Sequence, residues 1–117
     1  MTYMLLIMEP RGQRRTRSAQ QGHEAYDRML QFADALKSRG VLRGCDALKS
    51  DEKGVRVQVR GGKRAMLDGP FAEAKEMVGG YFLLDCDSMD QALAIAAECP
   101  AAEWSTVEVR ETGPCYD

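Results

Sequence analysis

The residues of this chain best suited to moving a proton are His23 and Asp68. Histidine is the side-chain type that changes charge nearest neutral pH, and His23 is the only one present. With the two in hydrogen-bond reach, the carboxylate would hold one imidazole nitrogen and leave the other free to take a proton. Each also has a bland reading. A lone histidine at a helix start is ordinarily a solvated surface residue, and an Asp in Asp68-Gly-Pro-Phe71 is a common turn former. The turn reading meets an obstacle, because an Asx-turn uses the N–H two residues on and residue 70 is proline. Structural and chemical roles for Asp68 therefore both stand at this stage.

Other reactive types are less promising. Cys45, Cys86, Cys99 and Cys115 are scattered, with no Cys-x-x-Cys pair, so neither a zinc site nor a thioredoxin-like motif is expected. Cys86 lies between Asp85 and Asp87, which oppose its thiolate and argue against a nucleophile. Arg11, Arg14, Arg15 and Arg17 offer a clamp for an anion, although a solvated loop is the preferred reading. No glycine-rich phosphate loop or metal-ligand cluster is visible, so no cofactor is expected. The net charge of -2 disfavours a dedicated nucleic-acid binder. The charges are nevertheless uneven: residues 1–64 hold 14 Lys/Arg against 7 Asp/Glu, whereas 65–117 hold 2 against 11. Such halves can attract within one fold or between two subunits.

The elements that must position these residues follow from periodicity. A chain of 117 residues with 44% hydrophobic and 29% charged residues suits one globular domain, 1–117. Its opening apolar run is too short to cross a bilayer and lacks the flanks of a signal peptide, so no membrane association is expected and a cytoplasmic location is. Residues 2–8 read as a buried strand and 9–17 as a loop. Apolar residues at three- and four-residue spacing predict a helix over 23–39, with Gly40 just beyond its end. A short strand is expected over 41–48. Val55 to Arg60 alternates, Gly61-Gly62 suits a primed hairpin turn, and 63–67 returns. Phe71, Ala74, Met77 and Val78 predict a short helix stopped by Gly79-Gly80, followed by a strand over 81–86. Ser88-Met-Asp-Gln91 has capping-box form and opens a second helix closed by Pro100. Residues 104–110 form a last strand. The order suits helices on one face of an antiparallel sheet, a ferredoxin-like α+β pattern.

The hairpin register sharpens the question of Asp68. Pairing outward from Gly61-Gly62 puts Val55 opposite Asp68, so the carboxylate shares the face of Val55, Val57, Val59 and Met66, the face expected to be buried. Gly69 is then the natural N-cap and Pro70 the first helical residue, with Asp68 just before a positive helix end.

Tyr3-Met-Leu-Leu-Ile7, Asp68-Gly-Pro-Phe-Ala-Glu-Ala-Lys-Glu76, Gly79-Gly-Tyr-Phe-Leu-Leu84 and Val107-Glu-Val-Arg110 together resemble the YCII-related family, in its DGPF-domain branch, across essentially the whole chain. The resemblance implies a ferredoxin-like subunit that pairs into a homodimeric α+β barrel with a small-molecule cleft near the interface. It carries Asp68 over as a signature residue and His23 as a histidine near the place where family members keep theirs. Gly69, Pro70 and Phe71 of the signature turn and Tyr81, which alternates away from Phe82 and Leu84, become ligand-contact candidates. Relatives commonly carry a Glu near Arg43-Gly-Cys-Asp46, where Asp46 is the substitute. The resemblance also implies an alternative, a non-enzymatic accessory protein associated with an extracytoplasmic-function sigma factor. The sequence leaves open whether there is an enzyme at all.

Overall fold

A computed structural model describes residues 1–116. Its main sheet has four antiparallel strands, β1 (Thr2–Pro10), β2 (Leu42–Ala47), β5 (Glu76–Asp85) and β6 (Thr106–Glu111), in the order β2-β5-β1-β6. Helices α1 (Ala19–Ser38) and α2 (Met89–Glu98) link these strands in the ferredoxin-like way. A separate two-stranded hairpin, β3 (Val55–Arg60) and β4 (Lys63–Asp68), is inserted between β2 and β5. The expected α+β class, with helices on one face of an antiparallel sheet, is what the chain adopts. No helix among the described residues is long and apolar enough to cross a membrane.

Alternation in β1 decides which face is covered. Tyr3, Leu5 and Ile7 are buried against both helices, where Phe32 and Leu36 of α1 and Ile95 of α2 complete the core. Phe32 meets Phe82 edge to face, with ring centroids 5.2 Å apart. Met4, Leu6 and Met8 point the other way and stay half-buried, level with Leu83 and Tyr81 across the β1–β5 register. This second face carries no helix.

Several expected bounds and caps need correction. Helix α1 begins at Ala19 rather than 23, because Ser18 accepts from the Gln21 N–H and the Gln21 side chain accepts from the Ser18 N–H, a complete capping box. The second box is half of one: Ser88 caps the Gln91 N–H, but the Gln91 side chain reaches the N–H of Asp87. The last strand starts at Thr106, since Trp104 ends a 3-10 turn over Pro100–Glu103.

The short helix after Pro70 does not exist. Met77 and Val78 pair with Glu9 and Met8, so their backbone groups are claimed by the sheet, and Gly79-Gly80 lie inside β5 instead of ending a helix. Asp68 consequently has no helix end behind it. Its pairing with Val55 is as expected, and Gly61 and Gly62 take φ of 57° and 77° in the tight turn. The burial expectation fails, because the hairpin stands off the sheet and Asp68 is exposed with both its strands.

Candidate functional site

A cleft of about 710 Å³ opens between the first half of α1, the end of β1, β2 and the middle of β5. His23 and Tyr26 line it from α1, Glu9 from β1, Arg14 and Arg17 from the loop before α1, and Trp104 from the far end. Sequence parity explains Glu9. It continues the inward series Tyr3, Leu5, Ile7, and it is only 7% exposed, the one buried charged residue among those described.

A buried carboxylate is tolerable only when paired and hydrogen-bonded. Arg14 Nε donates to Glu9 Oε1 at 2.6 Å. The space for this pair comes from a β-bulge: Ile7 pairs with Gly80 and Met8 with Val78, leaving Gly79 as the extra residue. A Cβ on Gly79 would fall on the Glu9 carboxylate, with an Arg14 guanidinium nitrogen 3.2 Å away. The Gly79 carbonyl meanwhile accepts from the Leu48 N–H at 2.9 Å, tying the bulge to the chain after β2.

The arginine loop is more structured than expected. Arg11 pairs with Asp51 at 2.9 Å and Arg15 with Glu52 at 3.1 Å. Arg17 has no carboxylate partner among the described residues; its guanidinium lies 5.7 Å from the Trp104 ring centroid. Arg28 approaches the same ring at 5.4 Å and is anchored to Glu103. The Trp104 carbonyl accepts from Gln13 Nε2 at 2.6 Å, so loop and indole are fixed to one another. With Lys49 and Asp46 added, the cleft wall holds three cations beside His23 against two carboxylates. Cys45 also faces the cleft, but burial first, then Asp46 and Asp34, pushes its thiol up, which keeps it protonated at neutral pH.

The residues singled out from sequence separate into two places. His23 lines the cleft from α1; Tyr81 and Asp46 border it, although the register puts both with Leu6 on the helix-free face. Asp68, Gly69, Pro70 and Phe71 are not in its wall. Gly69 donates its N–H to the Gly54 carbonyl at 2.9 Å, and a Cβ there would strike the Asp51 carbonyl, so glycine is required for close backbone approach. Phe71 is buried at the root of the hairpin with the Arg56 guanidinium 3.8 Å from its ring centroid. The Asp-Gly-Pro-Phe motif thus builds the hairpin's attachment. Glu9, Arg14, Arg17, Trp104 and Gly79 were not anticipated as a group. Strand parity at Glu9 was the available signal. For Cys86, burial and then Asp85 and Asp87 raise the thiol as expected, with burial the larger cause. Among the described residues no three His, Cys, Asp or Glu side chains gather as metal ligands.

Comparison with known proteins fits this fold. The fold is similar to that of 5-chloro-2-hydroxyhydroquinone dehydrochlorinase from Burkholderia phenoliruptrix AC1100, solved in complex with 2,5-dihydroxybenzoquinone. The TM-score is 0.57 at 14% sequence identity, covering 97% of this chain and 94% of that one. An uncharacterized protein of Rhizobium meliloti (strain 1021) is 47% identical over 45 residues, 38% of this chain, and the matched stretch spans 36% of that protein's length. The YCII-related domain model matches residues 1–114, and the chain belongs to that family.

Proposed function

We propose that this YCII-related protein binds a small, planar, anionic organic molecule in the cleft under α1, with His23 exchanging a proton with the ligand. The observation that carries the reading is the charge arrangement of the wall. Glu9 neutralises Arg14, which leaves Arg17, held over Trp104, and Lys49 as the wall cations without a carboxylate partner among the described residues. An aromatic wall beside a guanidinium suits a flat ligand with an acidic hydroxyl or carboxylate. The hydroxyquinone held by the similarly folded dehydrochlorinase belongs to that class. His23 lines the same cleft and is the residue whose type suits acid/base exchange with such a hydroxyl. Asp68 takes no part in this reading, since it lies at the root of the hairpin and outside the cleft wall.

The chain is read as a DGPF-branch member on its Asp68-Gly-Pro-Phe71 motif, as cytoplasmic on its four unpaired cysteines, and as a homodimer. The helix-free sheet face with Met4, Leu6, Met8, Tyr81 and Leu83 supports the dimer. The accessory-protein alternative is favoured only by the exposed hairpin, whereas the lined cleft favours a ligand.

Calorimetric titration with 2,5-dihydroxybenzoquinone tests the proposal. Binding of one molecule per chain is expected, weakened about tenfold or more by Arg17→Ala, the size of one charge-assisted hydrogen bond. Failure to bind at millimolar concentration, or equal affinity in the variant, contradicts it.

A further inference from the structure

The β3–β4 hairpin is an arm whose apolar side has no partner among the described residues of its own chain. The register places Val55, Val57, Val59 and Met66 on one side, and they are 50%, 57%, 58% and 61% exposed. The opposite side carries Arg56, which packs on the buried Phe71, so the arm touches its body through the arginine side and turns the valines away. The radius of gyration is 16.0 Å, against about 13 Å for a compact chain of this length. An isolated two-stranded hairpin is at best marginally stable in water. Strands that alternate as cleanly as Val-Arg-Val-Gln-Val-Arg are written for a surface that covers one side.

We infer that the arm's valine side packs against the body of a second copy of this chain, each copy covering the other's arm. Charge supports that occupant. Residues 55–68 carry 4 Lys/Arg and 1 Asp/Glu, while the rest of the chain carries 12 and 17. A basic arm is therefore drawn to an acidic body of its own kind, and the unequal halves seen along the sequence become complementary across two copies. The body also supplies apolar surface, the half-exposed Met4, Leu6, Met8, Tyr81 and Leu83 of its open sheet face. Two-fold symmetry covers both arms in one event. A single Val-to-polar change is thus felt twice in each dimer. The inference rests on the homodimer reading above and adds to it the element that holds the pair.

Sedimentation equilibrium on the full chain and on the double variant Val57→Glu, Val59→Glu tests it. Wild type is expected to dimerise at micromolar concentration, and the variant to need at least 100-fold more protein while keeping its far-UV circular dichroism. A wild-type dimer with an unchanged midpoint in the variant overturns the arm inference and leaves the dimer standing. A monomeric wild type overturns both. Hydrogen exchange of wild type alone gives a second readout should the variant misfold. Amides of 55–68 are expected to be protected at high protein concentration and to lose protection on dilution. No protection at either concentration overturns the inference, as does protection that appears only with anionic lipid vesicles.

Discussion

Burial alternates along β1, whose sequence is a nearly unbroken apolar run and whose Tyr3, Leu5 and Ile7 are at most 5% exposed, whereas β3 alternates cleanly in sequence and leaves Val55, Val57 and Val59 at least 50% exposed. In β1 the alternation is answered by two helices from the same chain. In β3 nothing among the described residues answers it. A period of two tells which residues share a face and that one face is to be covered. It does not tell which molecule does the covering. The same contrast separates two kinds of signature residue, since Asp68 and its turn serve the arm's attachment while Glu9 and Gly79 serve the cleft.

Core truncation breaks the comparison most strongly. Leu5→Ala, at a fully buried position, is expected to cost about 2–5 kcal/mol in chemical denaturation. Val57→Ala, measured in dilute protein, is expected to change stability by less than about 0.5 kcal/mol. A large loss at Val57 in a monomer would mean that the arm packs on its own body.

Glycines sharpen the same point. Gly79→Ala pushes a methyl into the Glu9 carboxylate and is expected to cost about 1–3 kcal/mol and to weaken ligand binding. Gly62→Ala adds a Cβ in open space at φ of 77°, so only backbone strain of about 1 kcal/mol is expected, with binding unchanged. Paired denaturation and titration of the two variants separate site from turn. Next comes Glu9→Gln, which keeps the shape but removes the charge facing Arg14, for an expected loss of about 1–2 kcal/mol after allowing for the partly exposed arginine.

The smallest effect lies at the surface. Hydrogen bonding from Arg28 holds the Glu103 carboxyl below the usual carboxylate range. A lowered folded-state pKa gives stability that is present above the unfolded value, about 4.3 for Glu, and is lost as the pH falls through the folded value. Glu103→Gln is therefore expected to lower the melting temperature slightly at neutral pH and to converge on the wild type as the pH falls through the folded value. Asp85, lowered by its hydrogen bond from Arg43, follows the same sign.

Much of the fold was legible because local and global preferences agree. The first strand is specified by its short apolar run, both helices by a period or a cap, and the tight turn by Gly61-Gly62. The missed helix over Phe71–Val78 shows where this ends: four apolar residues at helical spacing also fit a strand end, and pairing with Glu9 and Met8 decided the matter. Of the site, His23 and Tyr81 were visible by type and by alternation. Arg17 with Trp104, and Gly79 with Glu9, are pairs far apart in sequence that only the assembled sheet brings together. Glu9 shares a strand face with Tyr3, Leu5 and Ile7, two residues past Ile7, but the unbroken apolar run over 2–8 does not say which face is inward.

A residue-by-residue nuclear magnetic resonance titration with 2,5-dihydroxybenzoquinone tests the central claim most directly. Shifts are expected to concentrate at Glu9–Arg17, Gly22–Met29 and Gly79–Phe82, with the arm at 55–68 silent at fixed dimer population. Shifts confined to the arm, or spread evenly with no response at His23 and Gly79, would contradict the assignment of the cleft as the functional site.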